Sequence, residues 1–231
     1  MPTRANALAI MAKAPVAGAV KTRLVPPLTL EQAAELYRAL LLDQFEHLKT
    51  FAGAARYVVY APADAEPILR GLGGADYHYL AQGDGDLGVR MEHTFAALAR
   101  LGHRNIVLIG SDLPALPRTI LDVAFNQLVG AQRRVVLGPS QDGGYYLVGM
   151  NQPTPEIFEN MRWSHDRVLA DTTARLDGLG VSYSMLPTWF DLDVAEDFQR
   201  LRSLPNAPSR AALNWTLACL EKLGFLPASK V

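Results

Sequence analysis

"NIVLIGSDLPALP", residues 105 to 117, reads as a strand that runs straight into a polar turn. Ile106 to Ile109 are apolar without interruption and Gly110 closes the run, so the strand has no polar face to give to water. Such a strand is covered on both sides, which is the situation in a mainly parallel sheet with helices packed on each face. The same pattern recurs in "ALAIMAK" (7–13), "RYVVYAP" (56–62), "YHYLAQ" (77–82), "RVVLG" (134–138) and "YYLVGM" (145–150), with "VSYSML" (181–186) as a last strand. Helical spacing fills much of the space between them. Thr29 is a natural N-cap with Gln32 three residues on, and Leu30, Ala33, Tyr37, Leu40, Leu41, Phe45 and Leu48 follow on one face. Further helical patterns lie at 87–101, 164–177, 194–203 and 209–223. This alternation predicts an α/β fold, a three-layer sandwich around a mainly parallel, mixed sheet.

The whole-chain quantities narrow the partners. With 231 residues, 49% of them hydrophobic, the chain reads as a single domain, 1–231, in which 204–231 form a C-terminal helical extension beyond the Pro-containing "SLPNAPS" (203–209). Lys and Arg number 22 against 23 Asp and Glu, so no global field draws nucleic acid or an anionic membrane, and any cationic site is local. The single cysteine, Cys219, excludes an internal disulfide and a cysteine-rich zinc module, and fits a reducing cytosol. No apolar stretch approaches the roughly 18–20 residues of a membrane span, and residues 7–12 are too short for a signal-peptide core. The expectation is a soluble, cytoplasmic protein.

In open parallel sheets ligands bind beyond the carboxyl ends of the strands. The first strand there delivers "AIMAKAPVAGAVKTRL" (9–24), in which Lys13, Lys21 and Arg23, with Thr22 and a glycine beside them, can meet phosphate oxygens. It is not a P-loop, because Pro15 and Val20 stand where that motif requires glycine. The fourth strand delivers Ser111 and Asp112; the carboxylate either holds Mg²⁺ or Mn²⁺ shared with a substrate phosphate or orders its own turn before Leu113 and Pro114. In "GPSQDGGYYLVG" (138–149), Asp142-Gly143 signals a hairpin turn, and the glycines also let a ligand approach the backbone. In "FDLDVAEDF" (190–198), Asp193 and Glu196 have N-cap spacing, which assigns Asp193 to the cap and leaves Asp191 to share a divalent ion with Asp112. "GDGDLG" (83–88) satisfies G-x-G-x-x-G, yet Asp84 and Asp86 would put negative charge into a pyrophosphate cradle; a ligand-contacting loop with Asp86 capping the next helix is expected instead. Trp163-Ser164 reads as a helix start capped by Ser164, with base or sugar stacking by Trp163 as the other reading. The five histidines show no metal-ligand spacing and no G-x-S-x-G elbow is present.

Taken together, "MAKAPVAGAVKTRL", "QGDGDLGVRM", "IGSDLP", "DGGYYLVGM", "WSHDRV" and "DLDVAED" resemble a bacterial family of glycosyltransferase-A-type (GT-A-like) nucleotide-diphospho-sugar transferases, some linked to arsenosugar biosynthesis. The chain is similar, more distantly, to guanylyltransferases of the molybdenum-cofactor and 2-phospholactate type. The likeness runs in order from residue 7 to residue 200. It implies a nucleotide-diphospho-sugar-transferase fold whose first loop, Lys13, Ala14, Pro15, Gly18, Lys21, Thr22 and Arg23, embraces the nucleotide phosphates, together with Gln82, Gly83 and Ser111. It further implies Asp112 and Asp191 as ligands of Mg²⁺ or Mn²⁺, Asp142 as the residue orienting or deprotonating the acceptor, and Gly143, Gly144 and Trp163 on the acceptor side. Two features depart from these relatives: the first loop lacks the guanylyltransferases' run of glycines, and Ser111-Asp112 stands where many glycosyltransferases have D-x-D. The expected function is glycosyl transfer from a nucleotide-diphospho-sugar to a small-molecule acceptor. Nucleotidyl transfer from a nucleoside triphosphate to a phosphorylated acceptor, and non-catalytic nucleotide binding, stay open beside it. A homodimer is the assembly considered; neither nucleic acid nor membrane is an expected partner.

Overall fold

The computed structural model describes residues 5–202, 204 and 212–227. Seven strands, β1 (Asn6–Lys13), β2 (Ala55–Ala61), β3 (His78–Ala81), β4 (Asn105–Gly110), β5 (Arg134–Pro139), β6 (Tyr145–Met150) and β7 (Ser182–Met185), form one sheet in the order β3-β2-β1-β4-β6-β5-β7. Only β6 runs against its neighbours. It follows β5 through the tight turn at Asp142–Gly143, a connection too short for the crossover that a parallel pair needs. Every other pairing is parallel, with β1 between β2 and β4 and Ile10 level with Val58 of β2 and Ile109 of β4.

The alternation of side chains along the strands builds two cores. Leu8, Ile10, Val107, Ile109 and Val136 face α1 (Leu30–Leu48), α2 (Glu66–Gly73) and α4 (Arg118–Gln127). Ala7, Ala9, Ile106, Leu108 and Val135 face α3 (Leu87–Arg100) and α5 (Val168–Gly178) on the other side. Three layers result, the sandwich expected from the strand pattern. A third apolar cluster lies outside α1, where Leu36 and Leu40 meet Phe198 and Leu201 of α6 (Asp197–Arg202) and Leu220 of α7 (Asn214–Lys222). The first turn of α7 is capped from α1: the two carboxylate oxygens of Asp43 accept the N–H groups of Trp215 and Thr216 at 3.0 and 2.7 Å.

The strands lie within two residues of their expected limits, and so do two caps. Thr29 and Gln32 exchange bonds of 2.8 and 3.2 Å at the start of α1, and Asp86 accepts the Val89 N–H at 3.0 Å to start α3; each cap contributes about 1 kcal/mol. Helices α2 and α4 have no counterpart in the sequence reading. Helix α2 buries only Leu69 and carries Pro67, Gly71 and Gly73, while α4 starts after Pro117 with no side-chain cap. Helix α5 begins at Val168, four residues later than expected, because Ser164 sits at φ 64° in the left-handed region and cannot serve as its cap. The "SLPNAPS" joint, apart from Leu204, and residues 209–211 of the last expected helix lie outside the described residues. Among the described residues no helix is long and apolar enough to cross a membrane.

Candidate functional site

The parallel strands all end at one edge of the sheet, and β6 begins there. The three cations of the first loop reach that edge and differ in burial and pairing. Lys21 stands at φ 50°, ψ 34°, a left-handed backbone that a non-glycine residue holds at a cost of about 1–3 kcal/mol. Its side chain is only 4% exposed, with Nζ 2.6 Å from Asp112 Oδ2 and 3.4 Å from Asp193 Oδ1. Arg23 donates through Nη1 to the other oxygen of Asp193 at the solvent rim. Lys13 is exposed, and its ammonium has no hydrogen bond or ion pair among the described residues. Burial works against the charge on Lys21, but the adjoining Asp112 outweighs it and holds the ammonium above its ordinary value.

The acids converge from two ends of the chain. Asp112 leaves β4, while Asp191 and Asp193 lie on the segment after β7, which is tied down by Leu192 N–H to Asp112 O (3.0 Å) and Trp189 N–H to Pro139 O (3.1 Å). Burial, then the charge of Asp112, pushes Asp191 up from 3.8 to about 8, with Asp142 and Asp193 adding and Lys21 opposing. Asp191 has no hydrogen bond or ion pair among the described residues. Asp193 corrects the sequence reading. The capping carboxylate is Asp197, which accepts Asp193 N–H and Val194 N–H at 2.9 Å each, so the carboxylate of Asp193 is free to meet Lys21 and Arg23. The signal was present in "DLDVAED": its four acids outnumber what a single helix start can use.

The raised Asp191 has a consequence for stability. Its folded value lies above its unfolded value of 3.8, so the folded state binds more protons between pH 4 and pH 8. The stabilisation is complete below pH 4 and is lost as the pH rises through about 8. Asp191→Asn, neutral at every pH, is expected to remove this slope in thermal melts of protein kept in EDTA, and to melt above wild type at pH 8. Parallel pH profiles for the two proteins would show that the Asp191 carboxyl is not held in this way.

Several residues expected at the ligand are also tied into the frame. Ser111 is buried, its Oγ 2.6 Å from the Tyr37 hydroxyl, which accepts the Lys13 N–H at 3.0 Å. This chain of bonds ties the ends of β1 and β4 to α1. Gln82 is buried and spends its amide hydrogens on Ala12 O and Val59 O at 3.2 and 2.9 Å. In the first loop Ala14 is buried and donates its N–H to Ala61 O, whereas Gly18, at φ 79°, and Thr22 are exposed. Gly83 lies at φ 78° in the loop before α3. Asp142 accepts Ser140 Oγ–H and Gly144 N–H on one oxygen, Oδ1, and its charge is felt at Asp191. Gly143 lies at φ 87°, where an added Cβ would come 2.0 Å from the Asp166 carbonyl oxygen. Trp163 is half-buried, tilted on Phe158 and laid over Gly88, so its ring is engaged within the protein.

Among the described residues no group of three or more His, Cys, Asp or Glu side chains is arranged to hold a metal ion. Asp112 and Asp191 remain a pair of hard oxygen donors. That set suits an ion such as Mg²⁺, which keeps waters and is bound by one or two carboxylates together with substrate phosphates.

The chain belongs to the family described as "Uncharacterized protein conserved in bacteria (DUF2064)", whose profile matches residues 44–165. No curated protein matches it. Among solved structures, it is similar to one from Desulfovibrio desulfuricans G20 that carries the provisional name nucleotide-diphospho-sugar transferase, with 29% identity, TM-score 0.82, and coverage of 94% of this chain and 97% of that one. A cytidylyltransferase from Leptospira borgpetersenii serovar Hardjo-bovis (strain JB197) shares the fold at 14% identity and TM-score 0.58, covering 98% of each chain. A 4-diphosphocytidyl-2C-methyl-D-erythritol synthase does so at 16% identity and TM-score 0.54, covering 88% of this chain and 99% of that one. The fold expected from the motif resemblance is the fold found.

Proposed function

We propose that the protein is a transferase acting on a nucleotide-activated donor, and more narrowly a glycosyltransferase that uses a nucleotide-diphospho-sugar with Mg²⁺ or Mn²⁺. The observation that carries this reading is the Lys21–Asp112–Asp193 constellation with the uncompensated Asp191 beside it, at the sheet edge where such folds take ligands. The likeness to the Desulfovibrio desulfuricans structure, over nearly the whole of both chains, supports it.

The chain supplies most of the chemistry as fixed charge. Lys13, free at the rim, meets donor phosphate, and Lys21 and Arg23 place further positive charge against a departing nucleotide. Asp142, one oxygen held by Ser140 and Gly144, keeps the other to orient or deprotonate an acceptor hydroxyl. Tyr37 and Ser111 fix the spacing of the two loops that would grip the donor, so catalysis rests on positioning more than on covalent chemistry. A divalent ion held by Asp112 and Asp191 would supply charge neutralisation at the diphosphate.

The fold shared with cytidylyltransferases favours a second reading, nucleotidyl transfer with release of pyrophosphate. A thermal-shift panel of nucleotide-sugars and nucleoside triphosphates, each with and without Mn²⁺, separates the two. A ligand at about 100 times its Kd adds about 2.7 kcal/mol of stability. Shifts with a nucleotide-sugar support glycosyl transfer, shifts confined to triphosphates support nucleotidyl transfer, and metal-independent shifts with no turnover point to a binding protein. Within this reading Lys13→Ala is expected to weaken donor binding about tenfold without changing Tm, by removing one charge-assisted contact of about 1.4 kcal/mol. Calorimetry in low and high salt checks this; unchanged affinity at low salt would take Lys13 out of the site.

A further inference from the structure

Resting on the metal-dependent reading above, we propose that Lys21 is the resident counter-ion of the acidic cluster, and that a divalent cation gains the cluster only when a diphosphate group draws Lys21 away. The ammonium of Lys21 lies 2.6 Å from Asp112 Oδ2 and 3.4 Å from Asp193 Oδ1, so it occupies one of the two oxygens that Asp112 could offer a metal ion. Two cations do not share one carboxylate oxygen at that separation without strong repulsion. With 4% of its side chain exposed, Lys21 also fills the space behind Asp112, whose own side chain is 31% exposed.

The neighbouring contacts suit an exchange. Arg23 already pairs with Asp193, so that carboxylate stays neutralised when Lys21 leaves, and the carboxylate released is that of Asp112. A lysine makes the exchange by rotating its four-carbon stem, without moving the backbone turn that holds it. A diphosphate offers Lys21 an anion of higher charge than the one it gives up. The two ligands must then bind with positive coupling, each raising the affinity for the other by the same factor, typically about 5- to 150-fold.

Equilibrium dialysis with Mn²⁺ tests this, because it counts metal held by the protein whatever complex the metal arrives in. Wild type and Lys21→Met are each dialysed with and without pyrophosphate. Wild type alone should hold Mn²⁺ weakly and gain at least about tenfold with pyrophosphate, while Lys21→Met should hold it at least about tenfold more tightly than wild type with no pyrophosphate present. Retention by the variant no better than by wild type alone overturns the inference and leaves the metal reading standing. If Lys21→Met does not fold, the wild-type arms decide, since equal retention with and without pyrophosphate also overturns it. Absence of Mn²⁺ from every arm removes the metal reading itself, and this inference with it.

Discussion

Exchanging Asp112 for alanine is expected to lower folding stability by about 3 kcal/mol, the low end of the range for a broken buried ion pair, since Asp112 keeps some contact with water. Lys21 is then left with its ammonium inside the protein, and among the described residues Asp193 at 3.4 Å is its one remaining ion-pair partner. The corresponding fall in Tm is about 6–12 °C for a chain of this length. Thermal and urea unfolding would measure it, and the double variant Asp112→Ala, Lys21→Met is expected to recover part of the loss by removing the stranded charge. Turnover of the donor should drop by at least about a hundredfold, the size seen when one fixed electrostatic group is lost from a transfer site. An Asp112→Ala protein that melts with wild type would mean that Lys21 is not held by this pair.

Gly143→Ala is the second large effect, and its cause is steric. The added methyl would overlap the Asp166 carbonyl oxygen at 2.0 Å, and the backbone at φ 87° disfavours any side chain. Conformational strain of about 1–2 kcal/mol and overpacking of about 1–3 kcal/mol act together. Gly180→Ala is the control: φ is again positive, at 62°, but nothing lies within 4 Å of the added methyl, so only the backbone strain of about 1–2 kcal/mol remains. Because Asp142 and Gly144 share the turn with Gly143, the variant should also lose turnover while the donor still binds, the reverse of the pattern for Lys13→Ala. Equal losses for Gly143→Ala and Gly180→Ala in urea unfolding would contradict the contact with Asp166.

Much of this was legible in the sequence, for physical reasons that differ from residue to residue. Continuous apolar runs locate the strands because nothing but a doubly covered sheet can hide both faces of Ile106–Ile109. Lys13, Lys21, Arg23 and Asp112 could be placed at one edge because each follows a strand of a parallel sheet. Helix α4 was harder to see: its buried set, Ile120, Leu121, Ala124 and Phe125, is short and has no capping side chain to announce it. The role of Asp193 depends on which way the chain turns after Leu192, a tertiary matter that the spacing of the four acids hints at but does not decide. Ser111 and Gln82 show the same limit from the other side. A buried hydroxyl or amide must find partners, and residue type alone does not say whether they come from a ligand or from the protein's own frame.

The partners of Lys21 bear on how the protein comes into being. They lie 91 and 172 residues further along the chain. In free energy the longer separation adds little, since doubling a loop costs only about 0.6 kcal/mol. In time it matters more, because a chain growing from its N-terminus presents the cationic loop long before either carboxylate exists. Assembly of this edge therefore waits until Asp193 has been made and the segment after β7 has folded back to Asp112, so a complete charge cluster reports that translation has passed that point.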